Sequence, residues 1–233
     1  MGGLFRKIFR LISFLLVFPW IYGFALNFID PPMTITQINN IIDGYGFQRQ
    51  NLSGNKIPKY AKWALVAAED QKFALHNGFD IEGIQQVLED NQNNQKKMRG
   101  ASTISQQTAK NVFLWQGRSW VRKGLEVYCT FVLETTLSKN RILEIYLNIA
   151  EMGKGVFGLE AAAQYYYNKP ANQLSEVEIS RIISVLPSPK KYNVNPPSNY
   201  IVQRGNWVQR QVRNLKGDQA LMDIIENKTT AEK

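Results

Sequence analysis

The residues with the most chemical potential fall into four stretches. The first is Glu69-Asp70-Gln71-Lys72-Phe73, followed by His76, Gly78 and Asp80. Glu69 comes directly after the apolar run 63–68. A carboxylate at the end of a buried helix loses solvation, which raises its pKa toward the range useful for a general base. The same spacing also suits a helix-ending acid that merely packs beside Lys72. The second stretch runs from Arg99-Gly100-Ala101 through Ser102-Thr103-Ile104-Ser105-Gln106-Gln107-Thr108-Ala109-Lys110-Asn111. If helical, it puts Ser102, Gln106 and Lys110 on one row and Thr103, Gln107 and Asn111 on the next. A solvated helix face would carry Glu, Lys and Arg; neutral amides and hydroxyls beside a single ammonium suit a sugar or a phosphate.

The third stretch is Arg118-Ser119-Trp120-Val121-Arg122-Lys123-Gly124-Leu125-Glu126. Ser119 has the side chain of a helix N-cap, and Arg122 and Lys123 share a face with Glu126 at i−4 and i−3. By itself this is also the pattern of a routine surface ion pair. The fourth runs from Lys139 through Glu144 and Asn148 to Gly153, Gly155 and Gly158. Those glycines match G-x-G-x-x-G literally. A dinucleotide site needs a strand before them inside a βαβ unit, whereas Ile142, Ile145, Leu147 and Ile149 have helical spacing. The glycines are therefore expected to make a tight helix-to-helix turn.

The elements that must position these groups are mostly helical. Helices are expected near 102–113, 119–137, 139–150, 158–167, 175–185 and 200–215, with another starting at Pro58. Segment 30–54 reads as a linker with room for one short strand or helix. The polar run 89–99 reads as a mobile loop, and 216–233 as a C-terminal tail. The 233 residues, 44% hydrophobic and 20% charged, suffice for one sizeable core and exclude a disordered or collagen-like chain. Lys plus Arg is 28 against 19 Asp plus Glu, so the net charge of +9 favours anionic partners. One cysteine and one histidine leave no disulfide framework and no ordinary zinc site.

Residues 11–29 contain no charge, and Arg6, Lys7 and Arg10 precede them. This run is close to the length needed to cross a bilayer, and the flanking cations place the N-terminus in the cytoplasm. Gly23-Phe24-Ala25 also resembles a signal-peptidase site, but apolar residues continue past it, so a retained anchor is the expectation. Export argues against a nucleic-acid partner.

Taken together, the chain resembles the peptidoglycan glycosyltransferase family, the lysozyme-like polymerase module of class A penicillin-binding proteins. The resemblance rests on an EDxxF…HxGxD segment, a GxSTISQQxxKN segment, an RKxxE segment and a KxxILExYLN…GxGxxG segment, in that order, over about 59–197. The S-x-x-K matches at 53–56 and 188–191 lack a downstream K-T-G, so the chain looks like the monofunctional form with residues 55–215 as its catalytic domain. Two departures are visible: Ala101 where many members have glycine, and Tyr166-Tyr167-Asn168 where Tyr-Phe-Gly is usual.

The resemblance implies a mostly α, lysozyme-like domain with one transmembrane helix, seated on the outer face of a bacterial cytoplasmic membrane. It implies polymerisation of lipid II, with Glu69 as base and Glu126 as the second acid. Lys110, Arg118 and Lys123 would hold the diphosphate, and Ser102, Gln106, Gln107 and Asn111 would line the donor side. It requires no cofactor but leaves room for a divalent cation, Mg²⁺ or Mn²⁺, at Glu126. The implied partners are lipid II, the growing glycan, the membrane, and proteins of cell division or wall synthesis. A lytic enzyme and an inactive scaffold are the competing readings; the first has no use for cations around a diphosphate, and the second none for a full catalytic set.

Overall fold

A computed structural model describes residues 2–92, 102–117 and 119–227. Helix α1 (Gly2–Ala25) passes through Pro19 without a break and precedes α2 (Ile35–Ile42) and the short strand β1 (Gln48–Arg49). Then follow α3 (Lys59–Glu69), α4 (Ile81–Gln92), α5 (Ile104–Phe113), α6 (Trp120–Thr136) and α7 (Lys139–Ile149). A hairpin of β2 (Glu151–Gly153) and β3 (Val156–Phe157) leads into α8 (Leu159–Tyr167). The chain closes with α9 (Glu176–Ile183), α10 (Asn199–Leu215) and α11 (Gln219–Glu226).

Helix α3 is the hub. Every residue from Ala61 to Ala67 is buried, and α7, α9, α10 and α11 pack around it. A helix that is apolar on all sides belongs in the middle of a fold. The one long polar side chain within this buried run, Lys62, is 3% exposed and donates to Asn140 Oδ1 at 2.7 Å and Glu144 Oε1 at 2.9 Å. On α10, Ile201, Gly205, Val208 and Val212 recur at helical spacing and bury one stripe against the hub. Gly205 faces Arg181 of α9, where an added Cβ would make an ordinary contact with the Arg181 Cγ at 3.4 Å.

The structure corrects four expectations from the sequence. The glycines 153, 155 and 158 form a β-hairpin rather than a helix-to-helix turn: β2 pairs antiparallel with β3, and β1 adds in parallel on the other side. Gly155 (φ +68°) must be glycine because a Cβ would meet the Tyr45 carbonyl oxygen at 2.3 Å. Segment 30–54 is part of the folded body: Arg141 of α7 binds the Asp30 carboxylate at 2.7 Å, and Asn148 of the same helix accepts the Leu52 N–H at 3.0 Å. Helix α4 runs into the expected loop 89–99 as far as Gln92; the remainder of that loop lies outside the described residues. The tail 216–233 contains α11, held by Leu221 and Ile225, which are buried against the hub. Asn168 caps α8 in the left-handed conformation (φ 53°), which Asn adopts more readily than other non-glycine residues. This accounts for Asn where the family usually has Gly.

Helix α1 is long and apolar enough to span a membrane. It does not simply stop at the surface of the domain. Trp20 meets Phe131 edge-on, Gly23 lies against Thr136, and Leu26 is fully buried. Asn27 donates to the Thr136 carbonyl at 3.0 Å. Arg141 of α7 grips the Leu26 carbonyl at 2.8 Å, the Ile29 carbonyl at 3.0 Å and the Asp30 carboxylate at 2.7 Å. A chain lacking residues 2–29 should therefore melt at a lower temperature than one lacking residues 2–15, in the same detergent. Equal melting temperatures would show that these contacts add no stability.

Candidate active site

Glu69 is the last residue of α3, so its carboxylate emerges where the buried hub meets the surface. It lines a cleft of about 760 Å³ with Ser102, Gln107, Lys110, Tyr200 and Arg204. Its position is set by its neighbour. Asp70 is 8% exposed, and its Oδ2 accepts the backbone N–H of Ile104 at 3.0 Å, the first residue of α5. His76 Nδ1 accepts from the Gly78 N–H, so Nε2 carries the proton and donates to Asp70 Oδ1 at 3.0 Å. Thr103 donates to the Gly78 carbonyl at 2.6 Å, which completes the loop. One carboxylate thus ties the end of α3 to the start of α5.

That tie brings Gln107 to Glu69. Gln107 Nε2 donates to Glu69 Oε2 at 3.0 Å, and its Oε1 accepts the Tyr146 hydroxyl at 2.8 Å. The amide can point only one way, because the hydroxyl supplies the proton on one side and the carboxylate accepts on the other. Glu69 Oε1 takes no hydrogen bond among the described residues. Burial pushes the Glu69 pKa up, while the Gln107 hydrogen bond and the Arg204 charge pull it back and Asp70 raises it further. Burial also raises the Tyr146 pKa well above its ordinary value, so its phenol stays a donor.

Glu126, 3% exposed on α6, is no surface ion pair. Arg122 and Lys123 reach its two carboxylate oxygens from one and a fraction of a turn earlier, and Ser119 caps the helix as expected. Lys110 lies within electrostatic reach of all three. Burial lowers its pKa, Glu126 raises it, and Arg122 and Lys123 lower it. Lys110 makes no hydrogen bond or salt bridge among the described residues. Three cations against one carboxylate leave an excess of positive charge behind Lys110, the member of the group that lines the cleft, which is the condition for holding an anion there. The same carboxylate does not fit a divalent ion, since both oxygens are engaged. Among the described residues no group of three or more His, Cys, Asp or Glu is placed to share a metal.

The other expected site residues divide. The helix starts at Ile104, so Ser102 and Thr103 precede it and the expected rows are broken at their first members. Ser102 still lines the cleft, and Asn111 lines an adjoining polar cavity of about 400 Å³ together with Gln107 and Lys110. Gln106 does not line either space. It is 4% exposed and its Oε1 accepts the Thr103 N–H at 3.0 Å in a capping box, so its amide orders the start of α5. Arg118 lies outside the described residues. Sequence reasoning missed Tyr146, Tyr200, Arg204 and Trp207. The last three recur at i, i+4 and i+7 along α10, a spacing visible in the sequence but indistinguishable there from a surface stripe.

The family profile described as Transglycosylase matches residues 35–213. The chain belongs to the transglycosylase family. Among its relatives are proteins named biosynthetic peptidoglycan transglycosylase from Yersinia pestis (strain Pestoides F) and Yersinia pseudotuberculosis serotype IB (strain PB1/+). Each is 54% identical over 169 residues, covering 72% of this chain and 70% of the relative. The match takes in segment 35–54, in keeping with the contacts that α2 and β1 make in this transglycosylase.

Two outcomes follow for the transglycosylase site. Asp70→Asn replaces an acceptor by an amide N–H facing the Ile104 or His76 donor, and should cost about 1–3 kcal/mol in thermal or denaturant unfolding. Glu69→Gln tests the burial of the charge. A carboxyl whose pKa is raised by folding favours the native state while protonated, and that contribution is lost as pH rises through the folded pKa. Glu69→Gln should therefore melt above the wild type at pH well above the carboxylate range, and the difference should vanish below it. A gain that persists in acid would show that burial of the charge is not its source.

Proposed function

We propose that this transglycosylase polymerises lipid II into peptidoglycan strands, with Glu69 as the general base. The observation that carries the reading is the Glu69 carboxylate: one oxygen is fixed by Gln107, the other takes no hydrogen bond among the described residues, and Lys110 and Arg204 line the same cleft. In the proposed step, Glu69 takes the proton from the 4-hydroxyl of the acceptor GlcNAc. That oxygen attacks C1 of the donor MurNAc from the face opposite the diphosphate. The C1–O bond to the diphosphate breaks, its electron pair leaves with undecaprenyl diphosphate, and the α-linkage becomes a β-1,4 bond.

The cations do two things in this scheme. Lys110, with Lys123 and Arg122 behind it, neutralises the leaving diphosphate, and Arg118 joins them by the family resemblance. Glu126 serves by holding Arg122 and Lys123 in place and by limiting their mutual repulsion. Ser102, Gln107 and Asn111 offer hydrogen bonds to the sugars. A lytic enzyme would need no such cluster, because the group that leaves on glycan cleavage is a neutral hydroxyl.

We further read α1 as a single-pass anchor in the bacterial cytoplasmic membrane, with the catalytic domain on the outer face. Cell-wall synthesis or division proteins are its proposed company. An anchored enzyme meets a lipid-linked substrate in two dimensions, at a raised effective concentration.

The test is the initial rate of glycan formation from lipid II, read on gels. Glu69→Gln keeps shape and hydrogen bonding but cannot accept the proton, and should reduce the rate by roughly 10³-fold or more with the fold intact. If a folded Glu69→Gln enzyme retains above about a tenth of the wild-type rate, the base is elsewhere.

A further inference from the structure

Arg204 is a cation in the cleft with no anion of its own. It makes no salt bridge among the described residues, and its Nε is buried without a hydrogen-bond partner. An unpaired, partly desolvated charge is costly, so its retention points to a use for the charge. Two contacts plant it. The guanidinium stacks over the Trp207 ring with its carbon 4.4 Å from the centroid, one turn further along α10. One terminal nitrogen donates to the Ala68 carbonyl at 3.0 Å. Ala68 directly precedes Glu69, so this hydrogen bond grips the last turn of α3 at the point where the carboxylate leaves it.

We propose that Arg204 is a positioning residue: it holds the end of α3 through the Ala68 carbonyl and supplies the positive counter-charge for Glu69. This rests on the reading of Glu69 as base. The groups that act on the Glu69 carboxylate come from four elements. Asp70 adds a negative charge after α3, Gln107 of α5 donates a hydrogen bond, and Tyr146 of α7 is a buried neutral phenol coupled to it. Lys110 of α5 lines the same cleft, but its charge is directed among Glu126, Arg122 and Lys123. Arg204 is the cation whose field opposes both the burial of Glu69 and the repulsion from Asp70. A base must be ionised before it can accept a proton, so the charge serves the step without touching the reacting atoms.

The experiment is the pH dependence of kcat/KM for lipid II polymerisation by the full chain in detergent or vesicles. Ionised Glu69 is the active form, so activity falls as pH drops through its pKa. Removing the positive charge raises that pKa, and Arg204→Gln should move the acid limb to higher pH by roughly 0.5 to 1 unit. Arg204→Lys keeps the charge and should restore most of the limb's position, even if the rate stays reduced. Trp207→Leu frees the guanidinium without removing it and should displace the limb in the same direction, by less; it also serves if Arg204→Gln does not fold. A lowered rate at every pH with an unmoved limb in Arg204→Gln and Trp207→Leu would overturn the proposal and leave a structural tie only. The residual activity of Glu69→Gln separates the two ideas. If the acid limb persists there, the base assignment fails; if it disappears there but does not move in the Arg204 and Trp207 variants, the base stands and the role of Arg204 falls.

Discussion

Asp70 stands where three parts of the molecule must agree. Its carboxylate closes the start of α5, accepts the His76 Nε2–H hydrogen bond and follows the last residue of the buried hub. Helix N-termini leave backbone N–H groups without partners, and a buried acid is a strong acceptor for one of them. The choice of partner has a geometric result. By binding Ile104 rather than a group on its own helix, Asp70 sets how α5 crosses the end of α3. Gln107, one turn into α5, then falls opposite Glu69. The relation of Glu69 to the Gln107 amide, and of that amide to Tyr146, descends from that contact.

The electrostatics of the cleft are built from unequal pairs. Glu126 is engaged by two cations, Arg122 at one carboxylate oxygen and Lys123 at the other. Lys110 is left over, partly buried and unpaired, beside a cluster that already carries net positive charge. Glu69 is the opposite case, an acid whose desolvation is only partly offset. Placing an under-compensated acid and an under-compensated base in one cleft costs stability. In the proposed reaction it also keeps both free to respond to a substrate that brings a hydroxyl proton and a diphosphate. Stability and reactivity here draw on the same unpaired charges.

The N-terminal helix belongs to this architecture more closely than a tether would. Backbone carbonyls just past α1 are held by Arg141, whose neighbour Glu144 receives Lys62 from the hub. A continuous set of polar contacts therefore runs from the end of α1 to the helix that presents Glu69.

The sequence by itself determined the helical class, most helix positions, the apolar N-terminal span, and the candidate acids Glu69 and Glu126. These are local properties. An apolar run before Glu69, a Ser before a helix, or an i, i+4 ion pair is decided within a few residues. What only the tertiary structure decided depends on which distant segments meet. The short strands at 48–49, 151–153 and 156–157 are too brief to show alternation and exist because they pair with one another. Gln106 and Gln107 are adjacent and chemically identical. One closes a capping box and the other holds the Glu69 carboxylate, because the direction of α5 turns one inward and the other to the cleft. Arg204 lies 135 residues beyond Glu69 and reads as an ordinary helix-surface arginine until α10 packs on α3. Residue type and short-range spacing can name the chemistry available to a chain; the meeting of helix ends settles which copies of each side chain use it.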